Sequence, residues 1–206
     1  AVDARGDGDP VLFVHGLGGS LNVWTPLLPA LGRWRCVRVD LPGAGRSRRA
    51  YAVAESAPPL STDVHVDALR RVCDALGLSR VHVVGHSYGT LIAQQLAVRD
   101  PARVRSLALF GALLEPSSAM RDGMRARAAA ARAKGDLFEI AEAISEAALS
   151  ASTKQQQPVT VAFVRECVGA QSVEGLARNC LALGESVAAA HAQVRCPVLV
   201  VNGDED

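Results

Sequence analysis

The chain has 206 residues, of which 49% are hydrophobic and 21% charged, and its formal net charge is +1. That length is enough for one domain with an insertion, and the balanced charge argues against a nucleic-acid partner or an anionic membrane surface. No apolar run approaches the length of a membrane span, no signal peptide opens the chain, and the five cysteines form no C-x-x-C pair, so we expect a cytoplasmic protein with reduced thiols.

Short apolar runs alternate with stretches of helical spacing in the first part of the chain. After a polar start at residues 1–10, strands are predicted at 11–14, 36–39, 81–84 and 104–110. Helices are predicted between and after them, around residues 24–31, 66–76 and 90–96. Buried strands that alternate with helices predict an α/β fold with a mostly parallel sheet, helices on both faces and right-handed crossovers.

No strand pattern interrupts residues 116–193, where apolar residues recur at helical spacing in four stretches. The Ala/Arg-rich stretch at 121–134 is interpreted as a solvated helix and not as a nucleic-acid patch, because it lacks aromatic residues and acidic residues follow it. An apolar run at 197–201 then predicts one more strand. We therefore expect three parts: an α/β core at 1–115, a helical cap at 116–193 and a further piece of the core at 194–206.

The most informative stretch is Gly-His-Ser-Tyr-Gly at residues 85–89, which joins a predicted strand to a predicted helix. A turn this sharp holds its serine in a strained backbone conformation and lifts the hydroxyl clear of the sheet. Gly85 and Gly89 fit positions where a Cβ would clash with the strand or the helix. The alternative is a glycine-rich structural turn in which Ser87 only caps the helix.

Two further loops follow predicted strands. Residues 15–20 form a glycine-rich loop whose backbone N–H groups could approach a ligand closely. A phosphate-binding loop is the competing interpretation, but neither the G-K-[ST] ending nor the G-x-G-x-x-G spacing is present. The second loop, at residues 40–47, is rich in turn residues.

Taken together, these motifs resemble the α/β-hydrolase superfamily. The resemblance rests on Val-His-Gly-Leu-Gly-Gly at 14–19, Asp-Leu-Pro-Gly-Ala-Gly-Arg-Ser at 40–47, the stretch at 85–89 and Gly-Asp-Glu-Asp at 203–206. The loop at 41–43 and the modest cap resemble the branch of small bacterial esterases and 3-oxoadipate enol-lactonases. The resemblance implies a serine hydrolase that acts on a small carboxylic ester or lactone through an acyl-enzyme, without a cofactor or metal.

The resemblance also implies a role for particular residues. Ser87 would be the nucleophile, which argues against epoxide hydrolases and haloalkane dehalogenases, since those use an aspartate at that position. The backbone N–H groups of Leu17 and Tyr88 would form the oxyanion hole. Asp206 would be the acid of the triad, with Asp204 and Glu115 as alternatives.

In this family the order of the triad is Ser, Asp, His, and no histidine follows Asp206 in the sequence. His15 and His86 belong to their motifs, and the other three lie in a strand, on a distant helix and before the last strand; these are His82, His65 and His191. None fits the general base well. We therefore expect a longer protein that supplies the histidine beyond residue 206, and little activity from residues 1–206 alone.

Two other classes of function stay open. One is a non-catalytic relative that keeps the pocket and binds a ligand. The other is an enzyme of the same fold with different chemistry: a C–C hydrolase, a perhydrolase or an acyltransferase. The sequence does not decide the substrate or the oligomeric state.

Overall fold

The computed structural model describes residues 1–48 and 59–204, and a six-stranded sheet lies at its centre. The strands are β1 (Val2–Arg5), β2 (Asp9–Val14), β3 (Trp34–Val39), β4 (Val81–His86), β5 (Val104–Phe110) and β6 (Val198–Val201). They lie in the order β1-β3-β2-β4-β5-β6. Only the pairing of β1 with β3 is antiparallel among these strands, which confirms the predicted, mostly parallel α/β sheet.

The register of the central strands places several loops at one edge of the sheet. Val14 of β2 lies opposite Gly85 of β4, and His86 lies opposite Phe110 of β5. These strands are continuous apolar runs because both faces of a parallel sheet are covered, as the four buried residues that end β2 illustrate. The loops that follow β2, β4 and β5 therefore start side by side.

Strand β1 was not predicted from the sequence. Three of its four residues are exposed, and all four pair with residues 36–39 of β3 through the backbone. The Asp3 carboxylate forms an ion pair with Arg38 of β3, which is itself buried. A strand held by backbone hydrogen bonds and one ion pair carries no hydrophobic pattern for sequence analysis to detect.

Helices cover both faces of the sheet. Helices α1 (Thr62–Ala75) and α2 (Tyr88–Arg99) pack on one face and on each other. The other face is covered beside β2 and β3 by a 3₁₀ helix, Leu21–Leu31, where the sequence predicts a helix. Pro26 and Pro29 lie inside this element and remove two backbone N–H donors, which favours the tighter, irregular form.

Residues 116–193, which we call the helical segment, contain no strand, as predicted. The α-helices are α3 (Ser118–Lys134), α4 (Phe138–Ala147), α5 (Ala151–Gln156), α6 (Pro158–Gly169) and α7 (Val173–Gly184), and a short 3₁₀ helix, His191–Gln193, follows them. The short α5 was not predicted, because its six residues include no large apolar side chain; the Ser150 hydroxyl caps it by accepting from Thr153 N–H at 3.1 Å. None of the helices within the described ranges combines the length and apolar character that crossing a bilayer requires.

The main core lies between the sheet, α1, α2 and the helical segment, and a smaller cluster lies under the 3₁₀ helix. In that smaller cluster the ring of Trp24 packs on Phe13 with centroids 5.3 Å apart. The edge strand β6 differs from the other apolar strands, since its four residues are 38% to 58% exposed. The cysteines are all free thiols, and Cys36, Cys73 and Cys180 are buried.

Candidate active site

Ser87 stands at the junction of β4 and α2 with a backbone φ of 50° and a ψ of −120°. It is the one non-glycine residue with positive φ in the described part of the chain. Such a conformation costs about 1–3 kcal/mol, so its surroundings must hold it. The Ser87 N–H donates to the Phe110 carbonyl at 2.9 Å, and the Ser87 carbonyl accepts from the N–H and the hydroxyl of Thr90 at 2.8 and 2.6 Å.

Gly85 and Gly89 allow the backbone around Ser87 to pack at van der Waals contact. A Cβ on Gly85 would lie 2.6 Å from the carbonyl oxygen of Gly89, and a Cβ on Gly89 would overlap the carbonyl oxygen of Val14. The start of α2 is thus pressed against the ends of β4 and β2. A larger residue at either position would push the helix away and displace Ser87.

The loop after β2 forms a tight turn at residues 16–19, which we call the glycine turn. The Gly19 N–H donates to the Gly16 carbonyl at 3.1 Å, and Gly18 has a φ of 72° at the third position, where glycine is favoured. Gly16 lies directly against the serine, since a Cβ there would be 3.1 Å from the Ser87 Cβ. The glycine turn and Ser87 are therefore in contact.

The His15 imidazole fixes the direction of the Leu17 N–H. Its Nε2 accepts from the Leu41 N–H at 3.1 Å, so its Nδ1 carries the proton and donates to the Gly16 carbonyl at 2.8 Å. The C=O and N–H of a trans peptide point in opposite directions, so holding the Gly16 oxygen also aims the Leu17 N–H. Burial lowers the pKa of His15, which favours the neutral form that this arrangement needs.

The backbone N–H of Tyr88 lies at the start of α2, next to Ser87, whereas its side chain is buried in the core. As the first residue of α2, it has an N–H without an acceptor one turn earlier in the helix. Its buried ring meets the ring of His65 edge to face, with centroids 5.6 Å apart. Burial raises the pKa of the Tyr88 hydroxyl, so the side chain stays neutral.

The buried Asp40 carboxylate holds together the two loops that flank the glycine turn. One oxygen accepts from the Leu21 N–H at 2.7 Å, and the other accepts from the Arg46 N–H at 2.9 Å. Gly45, with a φ of 50°, lies so close that a Cβ there would be 2.6 Å from the Asp40 carboxyl carbon. The motif at residues 40–47 thus positions backbone and does not present its carboxylate to a ligand.

Leu17 and Tyr88, whose N–H groups are the predicted oxyanion donors, line one small cavity of about 10 Å³. A space of that size holds roughly one water-sized group, such as a carbonyl oxygen. The other walls come from the loops after β2 and β3 and from the helical segment: His15, Gly16, Gly18, Leu41, Ala44, Gln171, Leu176 and Asn179. The helical segment therefore lies on the same side of the sheet as these loops.

The predicted acid, Asp206, lies outside the described residues. Of the alternatives, Asp204 is exposed in the loop after β6, two strands away from β4 at the same edge of the sheet. Glu115 is also exposed and pairs with Arg121 at 2.7 Å.

Each of the five histidines has a defined place. His82 contacts the Ser106 hydroxyl at 2.7 Å, and His191 contacts the Gln94 carboxamide oxygen at 2.8 Å. His65 is fully buried; burial lowers its pKa to about 4, and neither ring nitrogen has hydrogen-bonding geometry with a described residue, although the Asn179 amide is close. The exposed His86 precedes Ser87 and borders Gly16.

Two polar side chains of the helical segment form hydrogen bonds with the loops around Ser87, and neither was predicted from the sequence to have a role. Gln171 contacts the glycine turn, and Asn179 donates to the Pro42 carbonyl at 3.1 Å. Gln171 directly precedes Ser172, the capping residue of α7. The local sequence therefore predicts a link between two helices but gives no sign of the contacts that Gln171 forms. Within residues 1–48 and 59–204, no group of three or more His, Cys, Asp or Glu side chains could hold a metal ion.

A family model, curated relatives and solved structures all match this chain to hydrolases. The family model for the alpha/beta hydrolase fold matches residues 9–206. RutD of Variovorax paradoxus, a candidate carbamate hydrolase by its name, is 38% identical over 119 residues, which are 57% of this chain and 43% of RutD. The chain thus matches less than half the length of that relative.

Solved structures of two hydrolases superpose on nearly the whole chain. A thermophilic esterase from Thermogutta terrifontis has a TM-score of 0.88 at 27% identity, covering 98% of this chain and 74% of the esterase. An enol-lactonase from Burkholderia xenovorans has a TM-score of 0.82 at 25% identity, covering 99% of this chain and 76% of the enol-lactonase. With the matched sequence model and the shared sheet, these similarities place the chain in the alpha/beta hydrolase fold family.

Proposed function

We propose that this chain carries the nucleophile and the oxyanion hole of a serine hydrolase that acts on a small carboxylic ester or lactone. The observation that carries the proposal is the positive φ of Ser87 at the junction of β4 and α2, in contact with the glycine turn. A serine that only caps a helix has no need of this strained conformation.

In the proposed reaction, the Ser87 Oγ attacks the substrate carbonyl and forms a tetrahedral intermediate. The Leu17 and Tyr88 N–H groups donate to the resulting oxyanion, and each such donor typically contributes about 3 kcal/mol of transition-state stabilisation. As the intermediate collapses, the base gives the Ser87 proton to the departing oxygen, so the alcohol is released and an acyl group stays on Ser87. Water then attacks the acyl-enzyme and forms a second tetrahedral intermediate, whose oxyanion accepts from the same two N–H groups. Collapse of this intermediate releases the acid and restores the Ser87 hydroxyl.

The proton from Ser87 needs a base. Each of the five histidines already has a place in the fold: His15 and His65 are buried, His82 and His191 contact the side chains of Ser106 and Gln94, and His86 ends β4 opposite Phe110 of β5. We place the base on a histidine C-terminal to Asp206, with Asp206 orienting it, in the order that the family resemblance implies. The 206-residue chain would then turn over p-nitrophenyl esters far more slowly than a form that includes this histidine. Full activity in the 206-residue chain would assign the base to one of the five histidines.

The substrate class rests on the named relatives. An esterase and an enol-lactonase share the fold at 27% and 25% identity, and both names describe hydrolysis at an acyl carbonyl. RutD adds a carbamate as a second candidate, since a carbamate carbonyl can occupy the same oxyanion site. A panel of p-nitrophenyl acetate, a small enol-lactone and a simple carbamate separates these three by kcat/KM.

We further propose that residues 116–193 act as a cap over Ser87, with core parts at 1–115 and 194–206. The contacts of Gln171 and Asn179 with the loops after β2 and β3 support this division. Closing a site with apolar helices excludes water and strengthens the oxyanion hydrogen bonds.

The nucleophile is tested with a serine-directed organophosphate on the full-length protein. Labelling and ester hydrolysis should both disappear in Ser87→Ala, with kcat lower by several orders of magnitude, because no other group forms the acyl-enzyme. Ser118→Ala, at an exposed helical position, is the matched control and should behave like the parent.

Labelling that persists in Ser87→Ala would exclude Ser87 as the nucleophile. A parent protein that takes up no organophosphate and hydrolyses no member of the panel, yet binds one of them, would support a non-catalytic, ligand-binding relative instead.

A further inference from the structure

Gln171 lies in the link between α6 and α7 and is 9% exposed. Both the nitrogen and the oxygen of its carboxamide form hydrogen bonds with backbone groups of other segments. Its Nε2 faces the carbonyl oxygens of Cys167, Gly19 and Gly18 at 2.8, 3.1 and 3.2 Å. Its Oε1 accepts from the Gly45 N–H at 2.9 Å. Two amide hydrogens serve three carbonyls, so one hydrogen bond is shared.

These contacts join three pieces of backbone that are far apart in sequence. Gly18 and Gly19 belong to the glycine turn, Gly45 belongs to the loop after β3, and Cys167 belongs to α6 of the helical segment. Val168 adds an apolar contact, since a Cβ on Gly18 would lie 3.0 Å from its Cγ2. One side chain of the helical segment therefore ties the glycine turn to the rest of the site.

The glycine turn is then held from two sides. His15 holds its first carbonyl, that of Gly16, from the core, and Gln171 holds the carbonyls of its last two residues from the helical segment. The Leu17 N–H lies between these two anchors. If either anchor is lost, the turn can rotate its peptides, and a misaimed donor loses most of its hydrogen bond to an oxyanion.

A neutral carboxamide meets all of these requirements, because its nitrogen carries two N–H donors and its oxygen is an acceptor. It donates to carbonyl oxygens at one end and accepts from an N–H at the other. A carboxylate would keep the acceptor for Gly45 but place negative charge against the carbonyls of Gly18 and Gly19. A leucine would leave buried polar groups of the backbone without partners.

We propose that Gln171 is a positioning residue for the oxyanion hole: its carboxamide fixes the glycine turn, and through it the Leu17 N–H, from the helical segment. The proposal rests on the proposed function of Ser87 and deepens it. It makes the helical segment part of the catalytic geometry, in addition to any role in enclosing the substrate.

The test is Gln171→Glu in the full-length protein, compared with the parent from about pH 5 to about pH 8 on p-nitrophenyl acetate. The concentration of active sites is first titrated by organophosphate labelling of Ser87 on a separate sample, and kcat is expressed per labelled site. Near pH 8 the ionised carboxylate repels both turn carbonyls, so kcat per labelled site should fall by about tenfold to a hundredfold while KM changes little. As pH falls and the new carboxyl protonates, it regains an O–H donor, and the ratio of variant to parent kcat should rise.

Other charged or ionisable groups line the same pockets as Gln171 and are present in the parent as well, so the ratio of variant to parent compares proteins that share them; they are His15, Asp40, Arg46, Arg48, Glu166 and Cys167. Gln95→Glu is the matched control for the replacement of an amide by a carboxylate. The Gln95 Nε2 donates to the Val187 carbonyl at 3.2 Å and not to the glycine turn. Its kcat per labelled site should follow that of the parent across the pH range.

Hydrogen exchange tests whether Gln171 anchors the glycine turn, independently of whether Ser87 is a nucleophile. Amides of residues 17–20 should exchange faster in Gln171→Glu than in the parent or in Gln95→Glu, whether or not the protein hydrolyses esters. Unchanged exchange would refute the anchoring of the turn. Faster exchange with unchanged kcat per labelled site would refute the positioning role, and a parent without any Ser87-dependent activity would refute the proposed function.

Discussion

At the scale of single residues, the site depends on two buried imidazoles that must stay neutral. His15 accepts a hydrogen bond from the Leu41 N–H through Nε2, and a proton there would set two donors against each other. His65 packs on the ring of Tyr88, whose N–H is a proposed oxyanion donor, and burial lowers the pKa of His65 to about 4. Protonation of either ring would disturb the backbone on one side of Ser87.

His65 predicts a specific loss of stability in mild acid. Its folded-state pKa, about 4, lies below the ordinary value of 6.5. Above pH 6.5 neither state binds the proton; as pH falls toward 4 the unfolded state binds it first, and the free energy of unfolding falls by about 3 kcal/mol in total. Glu174, whose pKa the hydrogen bond from Arg132 lowers to about 2, acts in a lower window, below about pH 4.5.

The measurement is urea unfolding across this range for the parent and for His65→Leu. The variant should show a shallower fall of stability between pH 6.5 and 4, because its unfolded state no longer gains that proton. An identical slope in both proteins would mean that His65 does not carry the effect.

The residues that sequence could reveal are those whose signal is local. Ser87, Gly85 and Gly89 are contiguous with a strand and a helix, so their backbone conformation follows from short-range pattern. The roles of His15 and Gln171 depend on contacts with Leu41 and with Gly18, which lie in other loops. Nothing in the neighbourhood of residue 171 in the sequence encodes a contact that spans 153 positions.

At the scale of elements, glycines mark where helices touch the sheet and where they do not. The Gly89 position at the start of α2 leaves no room for a Cβ beside Val14, whereas Gly123 in α3 has no heavy atom within 4 Å of a Cβ position. The first glycine is required by a close approach. The second only raises the conformational entropy of the unfolded chain.

This contrast predicts opposite effects of the same substitution. Gly123→Ala should raise the free energy of unfolding by about 0.5–1 kcal/mol, because alanine favours the helix interior. Gly89→Ala should lower it by about 1–3 kcal/mol, because α2 must move away from β2 to relieve the overlap. Denaturant titration of both variants decides, and a stabilising effect at position 89 would contradict the close packing described for α2.

The elements that sequence analysis missed share a physical cause. Strand β1 is mostly exposed and is held through its backbone, and helix α5 is short and polar, so neither has an apolar face. The 3₁₀ helix was predicted as a helix from the spacing of Trp24, Leu27, Leu28 and Leu31, yet Leu27 is exposed. Hydrophobic periodicity detects elements that bury a face and says little about elements that do not.

At the scale of the whole molecule, the two edges of the sheet differ in character. The β1 edge carries Asp3 and Arg5, and charged residues discourage pairing with another chain. The β6 edge presents Val198, Leu199 and Val200 with about half of each side chain exposed. Among the described residues, nothing pairs with the outer side of β6.

The exposed edge predicts that the isolated 206-residue chain associates through β6. Leu199→Lys should lower the concentration-dependent increase in mass, because a charge on an edge strand opposes strand pairing. Val2→Lys, on the opposite edge, is the control and should leave the association unchanged. Sedimentation velocity at several concentrations measures both, and equal association of Leu199→Lys and the parent would exclude β6 as the contact.

The pairing of β5 with β6 also sets an order of assembly during synthesis. Leu107 pairs with Val198, so the ribosome completes the entire helical segment before β6 can join the sheet. The partners that hold the Ser87 backbone, by contrast, are the Phe110 carbonyl and the N–H and hydroxyl of Thr90, and Gly89 packs beside the Val14 carbonyl; all of these emerge earlier. The nascent chain can therefore form the turn around Ser87, the proposed nucleophile, before Gln171 exists to anchor the glycine turn. The proposed oxyanion geometry is then completed only after synthesis has passed the link between α6 and α7.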